Sequence, residues 1–160
     1  MHSFSQAPNA IVLEDRVRLF ICCRPEPDPS GMYISRFGYI DLGKDDPTKV
    51  IGFSPTAALA LGQAGEFDEF GTYPVSVYKE NSQRLIAAYG GWTRCRSVPF
   101  DISIGLAISN NAGETFQRFG SGPILTKSLL DPFVITSPKL RKYNGKWYLF
   151  YTCGTKWITD

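Results

Sequence analysis
Three prolines set the frame. Pro8, Pro74 and Pro138 lie 66 and 64 residues apart, and each opens a hairpin-like pair of apolar runs. The first pair is Asn9–Leu13 and Arg16–Cys23, joined at Glu14-Asp15. The second is Val75–Tyr78 and Arg84–Tyr89, joined across Lys79–Ser82. The third is Lys139–Lys142 and Lys146–Thr152 around Tyr143-Asn144-Gly145, and an Asn-Gly pair between strands is a strong hairpin signal. Two further strand candidates follow each of the first two pairs: Tyr33–Asp41 and Lys49–Phe53, then Ile102–Ser109 and Thr115–Phe119. Helical periodicity is nearly absent. Thr56–Leu61, between Pro55 and Gly62, is too short to nucleate a helix.

A repeat of four antiparallel strands is the unit of a β-propeller. The sequence therefore predicts an all-β propeller. Blade one spans about 8–53, blade two about 74–119, and the inner hairpin of blade three about 137–157, all in one partial domain over 1–160. Gly62–Thr72 and Gly120–Thr136 would be the inter-blade loops. A β-sandwich is the competing architecture, since it too has many short strands; the near-equal proline spacing favours the propeller. Five blades at ~65 residues need on the order of 325 residues, and the chain has 160. Either a C-terminal half is missing or two copies of two and a half blades combine, and a homodimer is the expectation from this arithmetic.

Composition narrows the function classes. Net charge is only +2, too little for a nucleic-acid partner, and the aromatic residues do not interleave with a basic stripe. No apolar run approaches a membrane span, and residues 1–8 lack the charged and apolar regions of a secretory signal. The four cysteines, Cys22, Cys23, Cys95 and Cys153, form no CxxC spacing, and His2 is the single histidine. These features predict reduced thiols, a cytoplasmic location and no metal site. His2 is expected to be a disordered terminal residue. Gly90-Gly91 and Gly113 precede no Gly-Lys-Ser/Thr, so no phosphate loop is present.

Propeller geometry places the start of each inner strand beside the end of the second strand, at one mouth of the channel. That predicts a cluster of Gln6, Ala7, Asp68, Glu69, Thr72, Tyr73, Asp131 and Ser137 with Arg24, Trp92, Arg94, Lys156 and Trp157. Indole rings stack on the apolar faces of sugars, and charged groups bind hydroxyls by strong hydrogen bonds, so a carbohydrate is the expected partner.

The proline-headed hairpins, above all residues 137–152 (SPKLRKYNGKWYLFYT), resemble the five-bladed propeller glycoside hydrolases of the arabinanase, xylosidase and invertase kinds. Residues 65–71 (GEFDEFG), 102–107 (ISIGLA) and 154–157 (GTKW) are most similar to an uncharacterised bacterial, glycosyl hydrolase-like branch, over about the first half of such a protein. Residues 109–116 (SNNAGETF) are similar to the Asp box, with Asn111 at the Asp position; its role there is a structural turn. The resemblance implies glycosidic-bond hydrolysis without a cofactor, by carboxylates on successive blades. The residues before the three prolines are Ala7, Tyr73 and Ser137, none acidic. Asp68, Glu69 and Asp131 are then the candidate catalytic carboxylates, and Gln6, Arg24, Tyr73, Trp92, Arg94, Ser137, Lys156 and Trp157 the candidate substrate-binding residues. The alternatives are a non-catalytic glycan-binding or assembly module, or a truncated product with a purely structural role.

Overall fold
A computed structural model describes residues 5–158; His2 lies outside them. Ten strands are present, and the described residues contain no helix. β1 (Gln6–Val12), β2 (Arg16–Cys23), β3 (Arg36–Gly43) and β4 (Val50–Phe53) form one sheet in sequence order. β5 (Gly71–Lys79), β6 (Leu85–Arg94), β7 (Phe100–Ser109) and β8 (Gln117–Arg118) form a second. β9 (Ile135–Tyr143) and β10 (Lys146–Cys153) form a two-stranded third. Every pairing is antiparallel. These successive meanders are consistent with a partial propeller. The fourth strand of the second sheet is shorter than its apolar run suggests, because Thr115 belongs to the preceding turn.

The first and second sheets pack face to face. Alternation along β2 and β3 sends Phe20, Phe37 and Tyr39 toward Val75, Val77, Leu85, Ala87 and Tyr89 of the second sheet. Phe116 closes this core edge-on against Phe20 and Phe37, at centroid separations of 5.7 and 5.5 Å. Ala58 and Leu59 are buried there too, so Thr56–Leu61 serves as core filling in a non-helical connection. A second core joins Ala88 and Ile104 to Ile135 and Leu140 of the hairpin.

The turn from β7 to β8 is built from side chains. Ser109 Oγ accepts the Gly113 amide at 2.8 Å, and Asn111 Oδ1 accepts the Thr115 amide at 3.1 Å. Gly113 sits at φ +85°, where a Cβ would lie 2.5 Å from the Phe20 ring. The turn therefore demands glycine twice over, for its conformation and for the ring beneath it. Arg18, buried below this end, is clamped by both oxygens of Asp41 at 2.8 and 2.7 Å and lies over the Tyr39 ring.

The three prolines mark one recurring feature. The ladder register shifts between Gln6 and Asn9 in β1, between Thr72 and Val75 in β5, and opposite Ser137 in β9. Proline has no amide to give the ladder, so a bulge is where a strand tolerates it. Ala7 and Ser137, just before two of these prolines, have φ of +47° and +53°; Tyr73-Pro74 is cis.

Candidate functional site
The pairings Gln6 with Cys22, Gly71 with Trp92 and Ile135 with Cys153 bring each inner-strand start beside a second-strand end. At this end of the sheets the side chains join into a network. Tyr73 donates its hydroxyl to Gln6 Oε1 at 3.0 Å, linking the starts of β5 and β1. The Trp92 indole N–H donates to the Tyr73 carbonyl. The Trp92 ring packs at 4.6 Å on Phe100, which packs edge-on at 5.2 Å against Trp157. An aromatic row thus runs from the end of β6, across the start of β7, to the segment after β10.

Two arginines flank the row. Arg24 lies over the Trp92 ring at 5.9 Å and donates to Ser35 Oγ at 3.3 Å, and it meets no carboxylate among the described residues. Arg94 lies over Phe70 at 4.2 Å and pairs with Asp28 at 2.6 Å. Asp28 also accepts from Ser30 at 2.6 Å; that bond first, and Arg94 second, hold its pKa at about 2. Arg24, Ser35, Phe70, Trp92, Arg94 and Phe100 line a groove of about 290 Å³ whose walls are mostly apolar, with Trp157 beside it on Phe100.

Of the eight binding candidates, the structure joins Gln6, Arg24, Tyr73, Trp92, Arg94 and Trp157 in this one network. Ser137 is exposed at its bulge, and Lys156 is exposed one residue before Trp157. The carboxylates lie differently. Asp68 is fully buried: Oδ2 accepts from Arg118 at 2.8 Å and from the Tyr89 hydroxyl at 2.9 Å, and Oδ1 has no partner among the described residues. It sits in the interior beside Gly62 and Gly91, away from the groove surface. Burial, then the Asp68 charge, push the Tyr89 hydroxyl pKa far up. Glu69 accepts the Gly65 amide at 2.8 Å and caps its own loop. Asp131 accepts from Tyr151 at 3.0 Å; its pKa is lowered by a hydrogen bond from Cys153 first, then by Tyr151.

Sequence reasoning did not single out Phe70, Phe100, Ser35 or Asp28. Phe100 follows Pro99 at a strand start, which is a weak signal. Asp28 lies within the proline-rich segment 24–31, which carries no pattern at all.

No family model matches the chain. Two uncharacterised proteins of Mycobacterium tuberculosis, from strains CDC 1551 and H37Rv, are each 29% identical to it over 109 residues. That stretch is 68% of this chain and 36% of theirs, so the chain spans about a third of these relatives. Three solved structures superpose at low identity. They are a glycosyl hydrolase of Bacteroides ovatus (16% identical, TM-score 0.68, covering 92% of this chain and 43% of that one), a protein of Bacteroides thetaiotaomicron provisionally assigned as a glycosidase (15%, 0.70, 92% and 44%), and one of Parabacteroides distasonis provisionally assigned as a glycoside hydrolase (16%, 0.67, 91% and 44%). The chain therefore shares its all-β fold with glycoside hydrolase-like proteins, over a little under half of their length.

Proposed function
We propose that this chain forms two and a half blades of a five-bladed propeller and binds a carbohydrate in the groove at its mouth. The observation that carries the reading is the row Trp92–Phe100–Trp157 with two arginines at its edge. An aromatic surface stacks on sugar faces, and guanidinium groups donate paired hydrogen bonds to hydroxyls or carboxylates. Because Arg24 has no counter-ion among the described residues, a sugar bearing a carboxylate fits better than a neutral one. The test is calorimetric titration with neutral and uronate-containing oligosaccharides. Binding that Trp92→Ala weakens at least tenfold, and that Arg24→Ala weakens more for the acidic sugar, supports the reading. Parent affinity unchanged in both variants sinks it.

Binding without hydrolysis is favoured over catalysis by the carboxylates. Asp68 is neutralised by Arg118 in the interior, and Glu69 caps a turn. Hydrolysis needs two carboxyl groups flanking one bond, one of them protonated. Asp131, whose pKa is lowered by hydrogen bonds from Cys153 and then Tyr151, is the one of the three that neither an interior ion pair nor a loop amide takes up. A reducing-sugar assay decides: release that Asp131→Asn abolishes while binding persists restores the hydrolase reading.

A further inference from the structure
One face of the first sheet packs on the second sheet, and the other has no cover among the described residues. The register sets Ala10, Leu19, Ile40 and Phe53 in one cross-strand row on that other face. The next row is Val12, Val17, Leu42 and Val50. Every position in both rows is apolar, across all four strands. Phe53 is 75% exposed, Val50 59% and Val12 58%. A continuous apolar face of this kind marks an interaction surface.

The β9–β10 hairpin leaves a second open face. Leu140 and Leu149 turn toward the second sheet, and Trp147 packs on Tyr78 at 4.9 Å. The alternating residues Tyr148 and Phe150 point the other way, 42% and 60% exposed, paired with Arg141 and Lys139. Between Ile135 and Cys153 the charged residues are Lys139, Arg141, Lys142 and Lys146, all cations. The turns of the first sheet carry four carboxylates, Glu14, Asp15, Asp45 and Asp46, with Asp15 paired to Arg16 and with Lys44 and Lys49 flanking the second turn. β1, β5 and β9 run side by side in one direction: Tyr73 meets Gln6, Lys79 reaches the Val12 carbonyl, and the Leu140 amide bonds Ser76. The acidic turn of the first hairpin and the cationic end of the third therefore lie at the same end of the molecule.

We propose that the occupant of both faces is a second copy of this chain. The aromatic, cationic face of one copy's β9–β10 covers the apolar face of the partner's first sheet, and a two-fold axis repeats the contact in the opposite sense. Two unlike faces joined in this way close on themselves at two copies, so no open surface is left to propagate. The pairing matches apolar to aromatic surface and brings the carboxylates of the first sheet's turns, Glu14 foremost, to the basic hairpin, and it does not depend on what the groove binds.

The test has two parts. Light scattering after size exclusion of the 160-residue chain should give twice 17.8 kDa over a wide concentration range. Short thiol cross-linking, in a Cys95→Ser background, should join Ala10→Cys chains to Tyr148→Cys chains when the two are mixed, and should join neither variant to itself. A folded species of 17.8 kDa overturns the proposal. So does self-cross-linking of Ala10→Cys, which would mean that like faces pair. So does mass that grows without limit, which would mean that the contact does not close or that another polypeptide is the cover.

Discussion

Replacing Asp68 by alanine separates an interior tether from a groove carboxylate. The side chain is fully buried and bonds two groups, the Arg118 guanidinium at 2.8 Å and the Tyr89 hydroxyl at 2.9 Å. Breaking a buried ion pair from one side costs about 3–5 kcal/mol. Arg118 is 20% exposed and keeps the Ala60 carbonyl at 2.8 Å, which puts its share at the low end. Tyr89, 1% exposed, loses its acceptor, and a buried hydroxyl without a partner costs about 1–3 kcal/mol. The loss should be about 3–4 kcal/mol. In urea, with a slope of about 2 kcal/mol per molar, the midpoint falls by roughly 1.5–2 M. Arg118→Met should cost more than Asp68→Ala, because it strands a fully buried carboxylate whose Oδ1 already lacks a partner among the described residues. The double variant should cost less than the sum of the two, with a coupling of about 1–3 kcal/mol. All four proteins are compared at one concentration. If Asp68→Ala unfolds within about 1 kcal/mol of the parent, the ion-pair argument fails and Asp68 returns as a candidate for chemistry.

Other expectations follow from the same contacts. The Ser30 hydrogen bond first, and Arg94 second, hold Asp28 at about 2 against 3.8 as reference, so these contacts stabilise the 24–35 loop above pH 4 and are lost as pH falls toward 2; amide exchange in that loop should rise over this window while β6 stays protected. Burial pushes the Cys22 thiol up to about 12, whereas Cys95 is exposed, so a thiol reagent at pH 8 should label Cys95 at once and Cys22 only on unfolding. Asn111→Ala removes the acceptor of the Thr115 amide and should cost about 1–2 kcal/mol by thermal melt. It should leave sugar affinity unchanged, because that turn lies by Leu85 at the far end of β6 from Trp92; a loss of affinity would show that the two ends are coupled.

What could be read beforehand follows a physical divide. Strand order and the proline repeat were legible because both are local. Alternation and turn chemistry report the ladder directly, and Asn144-Gly145 takes the two positive φ angles, +48° and +73°, that its hairpin needs. The groove was legible in its second-strand residues, because Trp92 and Arg94 sit at strand ends whose position the repeat defines. Asp68 was not. Spacing placed its loop at the mouth, but Gly62 and Gly91 open room for the side chain to turn inward to Arg118, fifty residues on in the chain. Which way a loop carboxylate turns is decided by a distant partner, and nothing in its neighbourhood encodes that. The uncovered face of the first sheet is written in the alternation of β2 and β3, but only the register shows it to be continuous.

The strained backbone at the prolines bears on the chemistry of the mouth. A left-handed φ costs a non-glycine residue roughly 1–2 kcal/mol, and the residue before a proline is normally driven to extended angles. Ala7 and Ser137 hold that conformation in two separate sheets, at the same place relative to Pro8 and Pro138. Such strain survives where the surroundings over-determine it, and here the ladder on both sides of each bulge does so. The bulge turns the inner strand's first residues out of the ladder, at the end of the sheets where the groove lies. The residues at these places are Ala7, Tyr73 and Ser137, so the inner rim is neutral. The charges come instead from the ends of the second strands and the segments after them: Arg24, Arg94 with its partner Asp28, and Lys156. None of the residues at these three places is a carboxylic acid, so the bulges that recur at the prolines do not themselves carry the proton that breaking a glycosidic bond requires.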